Sequence, residues 1–252
     1  MKITILGSGT STGVPEIGCT CRVCTSQNPK DKRSRASALI QTDDATILID
    51  CGPDFREQML HTPFGKIDGV LITHEHYDHV SGLDDLRPFN RFGNIPVYAE
   101  AYTIDHLRTR MPYCFITRQY PGIPNILLEE IETDRPFYVN QTEILPLRVM
   151  HGKLPIVGYR IGKMAYITDM LTMPDDSFEK LKKLDVLILN ALRTKPHPSH
   201  QTISEAIEVA KRVAAKKTYF IHISHHAGLH DELEMSLPEH IHLTFDGIVI
   251  MI

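Results

Sequence analysis

Apolar residues in this chain fall in short runs bounded by polar and glycine-rich turns, and few stretches carry the wider spacing of a helix. Lys2–Leu6 reads as a first strand that stops at the glycine-rich stretch Gly7-Ser8-Gly9-Thr10-Ser11-Thr12-Gly13. Ser37–Gln41 and Thr46–Asp50 read as a hairpin about Asp43-Asp44, a pair of turn formers. Pro53–Leu60 predicts a helix, Gly69–Ile72 a short buried strand, Ser81 the start of another helical stretch, and Pro96–Ala99 a further strand. Residues 111–125 are irregular because Pro112, Pro121, Gly122 and Pro124 interrupt them. Strands are predicted at 126–132, 143–149, 156–161 and 164–168, then a helix at 176–184 and a strand at 185–189. Over Thr202–Ala215, Ile203, Ala206, Ile207, Ala210 and Val213 form a stripe of period near 3.6, which predicts a helix. Strands at Thr218–Ile221, 241–245 and 247–251 close the chain. The order suggests two sheets packed face to face and covered by helices, although periodicity alone supports only α/β or α+β. No internal repeat is visible.

The bulk numbers narrow the class. At 252 residues the chain is long enough to bury a core without disulfides, and one domain over 1–252 is expected. The net charge of −4 gives no basic footprint, which disfavours nucleic acid as a partner. No apolar run reaches the length of a membrane span, and Met1–Leu6 is too short for a signal peptide. Five cysteines, three of them within Cys19–Cys24, do not form a disulfide framework, so a reducing, cytoplasmic location is expected.

The chemistry concentrates in the histidines. Gly69–Ile72 leads into His74-Glu75-His76-Tyr77-Asp78-His79, three imidazoles and a carboxylate within six positions. Residues two apart in extended backbone point the same way, so His74 and His76 can grip one metal, and a turn into helix brings Asp78 and His79 toward a second. Imidazole with carboxylate suits zinc, manganese or iron. Ligand types recur where other apolar runs stop: His151 after 143–149, Asp169 after 164–168, His222 after Thr218–Ile221. Singly, each is most simply structural. Their shared place at strand ends, where active sites gather, changes that reading.

This order of residues resembles the metallo-β-lactamase superfamily of dinuclear hydrolases. Ile47-Leu48-Ile49-Asp50-Cys51-Gly52 also resembles that family's first motif, in which the aspartate, here Asp50, has a supporting role. The resemblance implies an α/β protein with the αββα sandwich, two mixed sheets flanked by helices. It implies two divalent ions, zinc or manganese, one held by His74, His76 and His151, the other by Asp78, His79 and His222, with Asp169 bridging. Such a pair, ~3.5–4 Å apart, lowers the pKa of a shared water enough to give hydroxide for attack at phosphorus.

Two features point to a branch. His200, 22 residues before His222, stands at the entry to the helix predicted over Thr202–Ala215. In the phosphodiesterase branches a histidine here assists the leaving group, so His200 is a candidate catalytic residue beside Asp78; its bland alternative is an exposed residue next to a helix cap made by Ser199 or Thr202. The other feature is Cys19-Thr20-Cys21-Arg22-Val23-Cys24, three thiolates that lack one ligand for a tetrahedral zinc. By chemistry alone His225, His226 and His230 all qualify as the fourth. The arrangement resembles the phosphoribosyl cyclic phosphate phosphodiesterase family, which implies a structural zinc on Cys19, Cys21, Cys24 and His225. Cys51 and Cys114 read as buried small hydrophobes.

The activity implied is hydrolysis of a small cyclic or diester phosphate. The alternatives are a tRNA 3′-processing-type endonuclease, a carbon ester or thioester hydrolase, and a metal-binding interaction protein. Only 30 residues separate Asp169 from His200, too few for a long RNA-gripping arm, and the acidic balance also disfavours RNA. Ester hydrolysis leaves His200 without a task. The expected partners are the phosphate-ester substrate and, as an open option, a second copy of the chain in a homodimer. Gly7-x-Gly9 followed by Gly13 misses the dinucleotide spacing. Lys30–Arg35 reads as a solvated basic loop, with contact to a phosphate as the alternative, and Tyr113, Phe115, Arg118 and Tyr120 either line a pocket or simply pack.

Overall fold

Two seven-stranded sheets make up the centre of the computed structural model, which describes residues 1–115 and 122–252. The first half of the chain supplies β1 (Lys2–Gly7), β2 (Ser37–Gln41), β3 (Thr46–Ile49), β4 (Gly69–Leu71), β5 (Ile95–Ala99) and β6 (Ile126–Glu130). The second supplies β7 (Phe137–Val139), β8 (Thr142–His151), β9 (Leu154–Ile161), β10 (Met164–Ile167), β11 (Val186–Asn190), β12 (Lys217–Ile221) and β13 (Ile241–Leu243). The last strand, β14 (Val249–Met251), returns to the first sheet and pairs antiparallel with β1.

The sheet orders are β14-β1-β2-β3-β4-β5-β6 and β7-β8-β9-β10-β11-β12-β13. Read in these directions, each sheet runs through three antiparallel pairings and then three parallel ones. The fourth strand of each, β3 or β10, begins the parallel half. No sequence repeat announces this correspondence.

Six helices cover the sheets among the described residues: α1 (Phe55–Leu60), α2 (Tyr77–Val80), α3 (Ala101–Arg110), α4 (Asp175–Glu179), α5 (Ile203–Val213) and α6 (His230–Ser236). The core between the sheets joins Ile3, Ile5, Ile40, Ile47 and Ile49 of one to Val157, Tyr159, Tyr166 and Ile188 of the other. On one outer face Leu48, Val70 and Val97 meet Phe55, Ile104 and Leu107. On the other, Leu187, Leu189 and Phe220 meet the apolar stripe of α5. The parallel strand β11 is buried at every position because helices and the opposite sheet cover both its faces. Four layers result, the expected αββα sandwich.

Departures from the sequence reading have local causes. The stretch after Ser81 is a 3-10 helix over Leu83–Phe92, in which Pro88 cannot donate to an α-helical ladder. The helix at 176–184 shortens to α4, with Lys183 in the left-handed region (φ 63°) ahead of β11. Helices α3 and α6 and the three-residue β7 went unpredicted because their apolar positions are too few to make a period. The loop Lys30–Arg35 is not simply solvated. Arg33 is buried, donating to Ser8 Oγ, the Thr244 carbonyl and His230 Nδ1, and Arg35 pairs with Asp54 at 3.0 Å.

Candidate metal centre

β4 ends at Leu71 and the chain stays extended through His76 (φ −62°, ψ 148°) before α2 begins. That backbone sets His74 and His76 on one side, their Nε2 and Nδ1 atoms 2.9 Å apart. His151, the last residue of β8, approaches from the second sheet, its ring 5.2 Å from His76 and 5.7 Å from His74. The single turn of α2 then presents Asp78 and His79. His79 Nε2 lies 3.1 Å from Asp78 Oδ2 and 3.4 Å from Asp169 Oδ2, and His222 Nε2 lies 3.2 Å from Asp169 Oδ1. Asp169 thus stands between groups, near Asp78, His79 and His222 on one side and His151 and His200 on the other. All seven sequence-predicted residues of the centre converge where the C-terminal ends of the parallel strands meet.

Other residues hold these side chains in place. Asp50, after β3, accepts from His79 Nδ1 at 2.7 Å and from the Thr73 N–H at 2.9 Å, which leaves His79 Nε2 facing the cluster. His151 Nδ1 donates to the carbonyls of Asp169 (2.8 Å) and Ser199 (3.0 Å), fixing its orientation in the same way. Asp50, Asp169 and His222 all adopt positive φ (58°, 56° and 60°), a conformation that costs non-glycine residues energy and collects at functional sites. Gly52 is required by contact, since a Cβ there would meet the Asp78 carbonyl at 2.0 Å. The Thr73 and Ser199 contacts were missed in the sequence, where neither residue type carries a signal.

Burial would raise the carboxyls of Asp78 and Asp169, yet the charges of His79 and, for Asp169, His222 outweigh it and hold both below the usual range. His79 is raised because Asp78, Asp169 and Asp50 overcome its burial. Burial, with the charge of His79, pushes His74 down. His200 is buried rather than exposed, and burial followed by the charge of His222 lowers it to about 3, so its imidazole is neutral. The helix cap next to it is Thr202, which forms a capping box with Glu205.

A second cluster forms at the N-terminal loop. The ligand atoms of Cys19, Cys21, Cys24 and His225 all lie within 4.8 Å of one another, with Cys24 Sγ 3.1 Å from His225 Nδ1. His226 touches the far nitrogen of His225, and His230 is engaged by Arg33, so His225 is the histidine that completes the group. Tyr113 is partly exposed on a short 3-10 turn, Phe115 packs against the core near α3, and Arg118 and Tyr120 lie outside the described residues. A cavity of about 470 Å³ lies between α1 and the outer face of β1 and is lined by none of these residues.

The donors fit divalent cations. His79 Nε2 and both ring nitrogens of His222 are buried without a hydrogen-bond partner, amid two carboxylates, an arrangement that is costly unless a cation is shared. Their spacing agrees with ligands placed about 2.0–2.2 Å from a common ion.

This combination of sandwich and histidine–aspartate centre defines a class of metal-dependent hydrolases. The chain belongs to the β-lactamase superfamily, residues 45–223 matching the model of the Beta-lactamase superfamily domain. It is 50% identical over 250 residues to an octanoyltransferase of Porphyromonas gingivalis (strain ATCC BAA-308 / W83), covering 98% of this chain and 51% of that protein. The chain spans about half the length of the first curated relatives it matches. It superposes on a crystal structure of a diphosphatase from the PhnP family with a TM-score of 0.92 and 42% identity, covering 99% and 97% of the two chains. Zn(2+)-bound PqqB from Methylobacterium extorquens shares the fold at a TM-score of 0.82 and 18% identity, over 100% of both chains.

Proposed function

We propose that this metallo-β-lactamase-fold hydrolase is a metal-dependent phosphodiesterase acting on a small cyclic or diester phosphate. The observation that carries the reading is Asp169, placed between two groups of ligand side chains with His200 Nδ1 3.7 Å from its Oδ1. His74, His76 and His151 would hold one zinc or manganese ion and Asp78, His79 and His222 the other, with Asp169 shared. Bound there, the two ions supply Lewis acidity toward phosphoryl oxygens and an activated water. Cys19, Cys21, Cys24 and His225 would hold a structural zinc, and their reduced thiols suit a cytoplasmic setting.

The chain's own residues do the positioning. Asp50 orients His79, Thr73 holds Asp50 and meets His74 Nδ1, and the Asp169 and Ser199 carbonyls orient His151. His200 projects toward the shared carboxylate, from where its ring would contact a phosphoryl or leaving oxygen of a bound substrate. The likeness to a PhnP-family diphosphatase supports phosphorus as the centre attacked. A second reading, hydrolysis of an acyl ester or thioester, draws on the 50% identity to half of an octanoyltransferase.

One panel separates the two readings. Metal-loaded protein is assayed on a cyclic ribose phosphate, bis(4-nitrophenyl) phosphate and an octanoyl thioester, with and without a chelator. Chelator-sensitive turnover of the phosphodiesters, with the thioester at background, is expected. Turnover of the thioester alone would replace the reading.

A further inference from the structure

One end of the first sheet has an outer face that is left open. On it Met251, Lys2 and Gln41 lie side by side across β14, β1 and β2, and Val249, Thr4 and Leu39 form the next row. Val249 and Met251 are 49% and 68% exposed, while Ile250 between them is buried in the core that joins the two sheets. Helix α1 stands beside these rows, and the cavity of about 470 Å³ opens between the helix and the strands. Thr4, Leu6, Leu39 and Val249 make its floor, and Glu57 and His61 stand in its wall. β14 is also the outermost strand, so one of its backbone edges has no neighbouring strand among the described residues. Folded proteins normally cover or blunt an apolar strand of this kind.

The acids around the cavity are already engaged. Asp54 pairs with Arg35 at 3.0 Å and Glu57 with His61 at 3.1 Å. Asp246 accepts from the N–H and the hydroxyl of both Ser8 and Ser34 at 2.7–2.8 Å. What the hollow offers is therefore mainly apolar surface, which suits another folded unit better than a small charged ligand. The chain ends indicate which unit. The Met1 amino group donates to the Ile252 carbonyl at 2.8 Å and the Ile252 N–H to the Met1 carbonyl at 3.1 Å, so both ends lie next to Lys2 and Met251. The Porphyromonas gingivalis relative matches 98% of this chain, and the match takes up 51% of that protein. Its remaining half is thus joined close to the place of Met1, of Ile252 or of both, and each of these places borders the open face. A domain tethered there is held at high local concentration over that face.

We infer that the outer face of β14, β1 and β2 is a docking surface for a folded partner domain equivalent to the half of the Porphyromonas gingivalis relative outside the match, with an apolar part of that domain filling the cavity beside α1. Docking buries Val249 and Met251 and gives the free edge of β14 a neighbour. The face shares no residue with the metal centre and keeps this role whatever that centre hydrolyses.

Methionine oxidation tests the docking. A hybrid is made in which this chain replaces its counterpart within the full-length Porphyromonas gingivalis protein, and its oxidation by peroxide is compared with that of the chain alone by mass spectrometry. Met251 reports on the face, and Met235, 80% exposed on α6 outside the other sheet, is the reference. Relative to Met235, Met251 is expected to oxidise about fivefold or more slowly in the hybrid than in the chain alone. Thr4→Glu and Val249→Glu, placed singly in the hybrid, are each expected to return Met251 to its rate in the chain alone, with melting temperature reporting that the variants fold. Equal Met251 rates in the hybrid and the chain alone overturn the surface, as does protection that survives in the folded variants. Protection that grows with the concentration of the chain alone gives the face to a second copy and overturns the partner equally.

Discussion

Asp50 shows how much a single residue carries here. It is fully buried, sits in left-handed backbone and spends its oxygens on Thr73 and His79. Removing the carboxylate leaves the His79 Nδ1–H without its acceptor, which costs about 1–3 kcal/mol and frees the ring to turn. Asp50→Ala is therefore expected to weaken metal binding about 10–100-fold, read by competition with a chromophoric chelator. Unchanged affinity would show that His79 is held by other means. The side chains of the centre were legible from sequence because their types are rare and their spacing matches strand and turn geometry. Their backbone was not, since nothing in Asp50, Asp169 or His222 as letters reveals a positive φ.

At the scale of elements, the cysteine loop and the segment after β12 are joined. His222 belongs to the candidate metal centre, and His225, three residues on, closes the cysteine group. Ile223 between them bonds in both directions to the glycine-rich turn, N–H to the Ser8 carbonyl at 3.0 Å and carbonyl to the Thr10 N–H at 3.2 Å. Cys24 is the buried thiol of the group, and burial pushes it up to about 11. Cys24→Ser is expected to lose one zinc equivalent per chain and about 2 kcal/mol or more of stability, the order expected for losing a metal-organised loop. Metal analysis with thermal melting checks this, and full zinc content in the variant would refute a structural site. The sequence identified these four residues but could not choose between His225, His226 and His230. Only the fold does so, by giving His230 to Arg33. Helix α5 is legible from its apolar stripe, and the structure adds a capping box; α3 and α6 have neither.

Across the whole molecule, Arg33 links distant parts of the chain, reaching Ser8, Thr244 and His230. His230 accepts from this guanidinium, and burial together with the Arg33 charge lowers it to about 4. Its unfolded value lies near 6.5, so the unfolded chain takes up a proton first as the pH falls. Stability is then lost from about pH 6.5 downward until the folded value is reached, amounting to about 2 kcal/mol by pH 5 from this group. His230→Gln is expected to flatten the pH dependence of the denaturation midpoint between pH 7 and 5, and parallel curves for variant and wild type would exclude His230 as its source. The four-layer architecture followed from the family resemblance more than from periodicity, which cannot tell which sheet a strand joins. The return of β14 to the first sheet is such a case, fixed by pairing with β1 rather than by any local preference.

The repeated order of pairings places Asp50 and Asp169 at matching points, each just past the fourth strand of its sheet and each with the same unusual backbone. One half of the polypeptide contributes His74, His76, Asp78 and His79 to the cluster; the other contributes His151, Asp169 and His222. Neither portion owns a complete set of donors. The cluster is thus lodged in the seam, and its assembly depends on the two halves being docked against each other.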